Sequence, residues 1–143
     1  MTVEQVKRRM EGVVSPASRL FGFEMVEVEE GTTLVQLYCR DEFINFGGIV
    51  HGGVITALAD SAMGSSLATL TPDGTRQVSF DLKLTIISAA QAGETLRARG
   101  RVLHAGRRTA VCEAEVRSAA DDRLVAKATG SFAVYPPKED SKP

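Results

Sequence analysis

The nine residues Asn45-Phe46-Gly47-Gly48-Ile49-Val50-His51-Gly52-Gly53 run directly into a small-residue segment carrying a single acid, Asp60. A glycine-rich loop leaves backbone N–H groups bare, and a helix start adds the positive end of its dipole. Together they suit a negatively charged or polarised oxygen. Around the acid, Val54, Ile55, Leu58, Ala59, Ala62 and Met63 read as core. A segment apolar nearly all round predicts a buried helix, and an unpaired carboxylate there is costly. Such a group points to a use.

Spacing constrains that use. If the helix starts at Gly52, Asp60 lies eight residues further on, about 12 Å along the axis. Base or nucleophile chemistry needs an approach of roughly 3 Å. A carbonyl held at the helix start is therefore out of reach of the same chain's Asp60. If both features serve one site, two chains build it, and a two-fold homodimer with antiparallel helices supplies two equivalent sites. The structural alternative is that Asp60 merely hydrogen-bonds a serine or a backbone group.

A polarised carbonyl, one carboxylate and no evident general acid fit a leaving group that departs as an anion unaided. A thiol, with a pKa near about 8.5, does so more readily than an alcohol or amine. The carboxylate either deprotonates water or attacks the acyl carbon, and the residues do not choose. The chain has no Gly-x-Ser-x-Gly elbow, no phosphate-cradling Gly-x-x-x-x-Gly-Lys-[Ser/Thr] loop, and no histidine pair at metal spacing. No metal or cofactor is expected. His51, beside a Gly-Gly turn, reads first as a loop-orienting residue and second as a proton carrier. His104 reads as structural, on the inner face of a strand end. Arg107 and Arg108, at a hairpin tip, are solvated charges or a grip for the phosphates of a carrier such as coenzyme A.

The chain of 143 residues is 43% hydrophobic and 24% charged, with net charge −1. That bounds it to one domain and gives no electrostatic footprint for nucleic acid. Lys7-Arg8-Arg9 is flanked by Glu4 and Glu11 and reads as a solvated helix face. No apolar run has signal-peptide or membrane-spanning character. Cys39 and Cys112 show no redox or metal spacing, so buried free thiols and a cytoplasmic location are expected.

The elements that must position these residues follow from periodicity. A short helix is expected over 2–11 and a turn at Ser15–Ser18. Residues 23–28 and 33–38 alternate as strands about Gly31. A helix of roughly 53–70 is closed by Pro72-Asp73-Gly74. Strand-like runs follow at about 76–88, 93–104, 109–118 and 124–135, then a polar tail. In the 93–118 hairpin, pairing Val102 with Cys112 sets Arg101 opposite Glu113 and Arg99 opposite Glu115. It leaves Gly106-Arg107-Arg108 as a three-residue loop. Ala98, Gly100, Ala110 and Ala114 then leave room for a closely packed helix. One long helix against an antiparallel sheet gives α+β.

On these residues the chain resembles the hotdog-fold acyl-CoA thioesterases of the phenylacetate-pathway (PaaI-like) type, over about residues 18–135. The core of the match is Asn45-x-x-Gly48-x-x-His51-Gly52-Gly53 with Asp60 nine residues after the histidine. Val78-Ser79-Phe80-Asp81-Leu82, Gly93-Glu94 and Gly106-Arg107 are weaker echoes. The resemblance implies a long central helix wrapped by a curved antiparallel sheet, as residues 15–135 between an N-terminal helical extension (1–14) and a flexible tail (136–143). It implies an acyl-CoA substrate and a homodimer, often a dimer of dimers. It also implies that Gly52 supplies the oxyanion N–H, Asn45 positions the water or carboxylate, and His51 supports the loop. Asp60 of the other subunit would be base or nucleophile, with Ser79 helping to orient water. Ile87-Ser88-Ala89-Ala90 departs from relatives that carry an aromatic and a proline there, so the acyl group is not carried over. Two rivals remain: a hotdog enoyl-CoA hydratase or dehydratase using His51 and Asp60, and a non-catalytic acyl-CoA-binding protein. The second resembles sensors with a DNA-binding module ahead of the domain, for which about 15 preceding residues are too few.

Overall fold

The computed structural model describes Glu4, Gln5, Arg8 and residues 15–138. The helix expected over 2–11 and the tail from 136 lie largely outside the described residues. Glu4, Gln5 and Arg8 are helical, and residues 136–138 have no regular structure.

The turn expected at Ser15 is a short helix, α1 (Pro16–Phe21). Ser15 caps it by accepting the Ser18 N–H at 3.1 Å, Pro16 opens it, and Gly22 closes it at φ 82°. Strands β1 (Glu24–Glu29) and β2 (Thr32–Tyr38) follow, then a 3-10 turn (Asp41–Phe43). The long helix α2 spans Gly52–Ala68. Four strands complete the chain: β3 (Arg76–Ile86), β4 (Thr95–Ala105), β5 (Thr109–Ser118) and β6 (Leu124–Tyr135). All six strands form one antiparallel sheet in the order β1-β2-β4-β5-β6-β3.

Helix α2 packs chiefly on β4, β2 and β5. Ile55, Leu58, Met63 and Leu67 meet Leu37, Leu96, Val116 and Val125 in the core. The expected small residues make this close packing possible. Ala98, Ala110 and Ala114 are fully buried, and a Cβ on Gly100 would sit 2.1 Å from the Ala62 carbonyl oxygen. The β4–β5 register is the expected one, with Val102 opposite Cys112, Arg101 opposite Glu113 and Arg99 opposite Glu115.

His104 departs from expectation. A bulge at Leu103 shifts the register, so His104 pairs with Val111 and is exposed on the outer face. An extra residue in one strand turns everything beyond it to the other side. A second bulge, at Phe80, has the same effect in β3: Ser79 pairs with Phe132 and Asp81 with Ser131. Gln77 and Ser79 therefore share the helix side with Leu82, Leu84 and Ile86.

Strand β3 lies at the sheet edge and is sparsely covered by its own helix. Val78, Phe80, Leu82 and Ile86 are exposed, Phe80 by 63%. The adjoining face of α2 is half-exposed and made of small residues: Thr56, Ala57, Asp60, Ser61 and Gly64. The expectation of a helix buried all round thus fails on one stripe, and Asp60 lies on that stripe. Among the described residues no helix is long and apolar enough to cross a membrane.

Candidate active site

The loop before α2 is a tight backbone structure. Ile44 bridges Val50, Asn45 N–H donates to the Ile49 carbonyl at 2.8 Å, and Gly48 N–H returns to the Asn45 carbonyl at 3.0 Å. Gly48 turns the chain at φ 80°. The Asn45 side-chain oxygen accepts from Gly47 N–H at 2.9 Å and Ile49 N–H at 3.3 Å. Two donors on that atom fix the amide orientation. Asn45 therefore offers outward only its Nδ2 hydrogens.

His51 is the N-cap of α2, and its Nδ1 accepts the Gly53 N–H at 2.8 Å. An acceptor Nδ1 carries no hydrogen, which puts the ring's N–H on Nε2. The ring lies so close that a Cβ on Gly53 would sit 2.9 Å from Nδ1, so glycine is required there. The His51 carbonyl takes the Val54 and Ile55 N–H groups. Of the first helical donors, only the Gly52 N–H has no partner among the described residues. It stands at the positive end of a 17-residue helix.

Asp60 is half-buried, and burial pushes its carboxyl above the usual range, while a hydrogen bond from the Ser79 hydroxyl pulls it back down. Ser79 reaches it because β3 keeps that side chain on the helix side just before the Phe80 bulge. The helix is continuous between Gly52 and Asp60, so the separation of about 12 Å stands.

Two separate groups of residues result. Asn45, His51 and Gly52 gather at the helix start, and Asp60 with Ser79 lies two turns on. The fold of one chain does not join them. Arg107 and Arg108 sit exposed at the β4–β5 hairpin tip, and neither guanidinium has an ion-pair partner among the described residues. No three His, Cys, Asp or Glu side chains lie close enough to share a metal ion among the described residues.

A single long helix laid on a six-stranded antiparallel sheet, with a glycine loop at its start, defines a hotdog domain. The structure of Escherichia coli PaaI, from the phenylacetic acid degradation operon, superposes with a TM-score of 0.85 over 95% of each chain, at 22% identity. The thioesterase superfamily model matches residues 47–125, and the chain belongs to that superfamily. Human acyl-coenzyme A thioesterase 13 is 29% identical over 104 residues, 72% of this chain and 73% of that protein. The smu.793 protein of Streptococcus mutans, solved bound to acetyl-CoA, is 30% identical with a TM-score of 0.73, covering 82% of this chain and 91% of its own.

Proposed function

We propose that the chain hydrolyses acyl-CoA thioesters at two equivalent sites of a homodimer, each site built from both subunits. The observation that carries this reading is the unbroken helix that holds a free Gly52 N–H about 12 Å from Asp60. The exposed apolar edge of β3 supports the pairing, because an uncovered edge strand of this kind is a template for a second chain. The acyl-CoA thioesterase and the acetyl-CoA-bound protein among the relatives support the substrate class.

The thioester carbonyl oxygen accepts the Gly52 N–H, which strengthens its hold as negative charge develops on that oxygen. Asp60 of the partner subunit takes a proton from water, oriented by the partner's Ser79 and by Asn45 Nδ2. Hydroxide adds to the carbonyl carbon, the C–S bond breaks, and the thiolate leaves and recovers the proton from the carboxylic acid. A carboxyl raised by burial is a stronger base near neutral pH. In the competing route the partner's Asp60 attacks carbon, giving an acid anhydride that water then opens. A single turnover in 18O-labelled water tests the second route: label in Asp60 requires an anhydride opened at the Asp60 carboxyl carbon, whereas direct attack of water on the thioester labels only the product acid. Arg107 and Arg108 grip coenzyme A phosphates.

The catalytic unit is residues 15–135, and a dimer of dimers would leave each site intact. Cys39 and Cys112 are free and buried, as suits a reducing cytoplasm, and burial pushes both thiols up to about 11, which favours the unreactive thiol form. The test is thiol release across short, long, aromatic and hydroxylated acyl-CoAs, with Asp60→Asn as control. The amide is nearly isosteric but a poor base, so turnover should fall by about 10²–10⁴-fold with the fold retained. Near-normal turnover by Asp60→Asn would make Asp60 structural.

A further inference from the structure

The loop that presents Gly52 does not hold itself in place. Val50, just ahead of the cap residue, donates its N–H to the carbonyl of buried Ala90 at 2.9 Å. Ala90 belongs to the irregular connection between β3 and β4. One side chain from the β5–β6 turn fastens that connection. Arg123 donates to the Ala89 carbonyl at 3.1 Å, to Ser88 Oγ at 3.2 Å and to Glu94 Oε1 at 2.8 Å. Glu94 closes the clasp by accepting from Gln91 N–H at 2.6 Å and from Ser118 Oγ at 2.9 Å. Ser88 Oγ in turn donates to the Leu124 carbonyl at 2.8 Å. Ser88 and Ala89 on one side of Ala90, and Gln91 on the other, are thus tied to one ion pair.

The electrostatics agree. Burial pulls the Glu94 carboxyl upward, but the Gln91, Arg123 and Ser118 hydrogen bonds outweigh it and the net direction is down. The charged pair is the resting state of the clasp, and partial burial strengthens it relative to the exposed pairs of the outer sheet face.

We infer that Arg123 and Glu94 are positioning residues for the reaction: their clasp fixes the segment around Ala90, and the Val50–Ala90 hydrogen bond passes that fixity to the helix start where Gly52 presents its N–H. The inference rests on Gly52 as the oxyanion donor. An oxyanion donor works only within about 2.7–3.1 Å of the developing charge. A misplacement of about 1 Å, even from a change far from the chemistry, costs roughly 10²-fold. Neither Arg123 nor Glu94 touches Asp60, Ser79 or Gly52 in the hydrogen bonds described. Losing the clasp should therefore lower kcat more than it raises KM, the mark of an interaction realised in the transition state.

The test pairs amide hydrogen exchange with thiol-release kinetics on purified full-length protein, using the best acyl-CoA of the screen. In Arg123→Ala, the Val50 amide should exchange about tenfold faster while amides around Met63 keep their wild-type rates, and kcat should fall by about 10–100-fold with KM within about twofold. Arg123→Lys keeps the charge opposite Glu94 but not the reach to Ser88 and Ala89, so it should fall between the two. Glu94→Gln should repeat the pattern if Arg123→Ala does not fold. Wild-type exchange at Val50 in Arg123→Ala would overturn the clasp. Faster exchange with unchanged kcat would overturn its link to turnover. Gly52→Pro, which removes the proposed oxyanion N–H, is run alongside and keeps the two readings apart. If it retains full activity, Gly52 is not the oxyanion donor, while Val50 exchange still reports on the clasp.

Discussion

The proposed two-chain site can be broken and rebuilt. Asp60→Ala removes the base. Gly52→Pro removes the oxyanion N–H, and the local structure accepts it. Gly52 is the first helical residue, where proline is tolerated, and its N–H has no internal partner to lose. His51 already has the extended backbone, φ −59° and ψ 133°, that a following proline requires. An added Cβ would fall 3.1 Å from Ile86 Cδ1, the far end of a flexible side chain. Each variant alone should be inactive. On the proposed mechanism, the separation of about 12 Å, four times the reach of proton transfer, has each site draw Gly52 from one chain and Asp60 from the other. A mixed dimer then has one site with both lesions and one with neither. Re-pairing equal amounts gives about half heterodimers with one good site of two, so thiol release should recover to about a quarter of the wild-type rate. The assay is thiol release after subunit exchange, with exchange verified by differently tagged chains. Verified heterodimers without recovery would refute the shared site and leave Asp60 and Gly52 acting within one chain or in separate roles.

Two further outcomes test individual residues. Arg107→Ala and Arg108→Ala should raise KM for acyl-CoA with little change in kcat, as loss of uniform binding does. Hydrolysis of a truncated pantetheine thioester should be unaffected, and equal losses on both substrates would exclude phosphate contact. The acid limb of the pH–rate profile should lie above the ordinary carboxylate range, because burial raises Asp60 and its ionised form is the active one. Activity is then lost as pH falls through that raised value. Ser79→Ala removes the contact that lowers it, so the limb should move to still higher pH, and a limb that stays or moves down would deny Ser79 that role.

Much of this was legible because short-range patterns decide it. The β4–β5 hairpin has small apolar residues on one face and opposite charges on the other, and only one register satisfies both faces. What broke the reading was the bulge at Leu103. Val102-Leu103-His104-Ala105 alternates equally well in either phase, so nothing local says that His104 turns outward. The Phe80 bulge is hidden in the same way, and the place of Ser79 beside Asp60 came from family resemblance rather than periodicity. The helix was expected at 53–70 and runs from Gly52 to Ala68. Its start is displaced because a histidine caps it in place of Ser, Thr, Asp or Asn. Its end falls short because the Ser66 carbonyl takes both the N–H and the hydroxyl of Thr69, at 3.3 and 2.6 Å. Least legible was the exposed stripe beside β3. The strand order places β3 at the edge through pairing with β6, some 50 residues away, and local sequence carries no trace of such pairing.

The choice of histidine as cap bears on the chemistry. An aspartate cap would satisfy the same early N–H but place a full negative charge where the oxyanion must form. Histidine caps Gly53 with a lone pair from an uncharged acceptor and leaves the preceding Gly52 N–H, with the helix dipole behind it, for the substrate. Asp60, two turns along, is beyond the reach of that dipole, which fades within the first turn. Its charge is therefore not stabilised by the helix, and burial keeps it a stronger base than a carboxylate at the helix start would be. The proposed reaction thus asks one helix for an electropositive end for the carbonyl and a neutral middle for the base, and the helix cannot bring the two together by bending. A second copy running antiparallel beside it can, which is why the proposed thioesterase mechanism calls for a dimer.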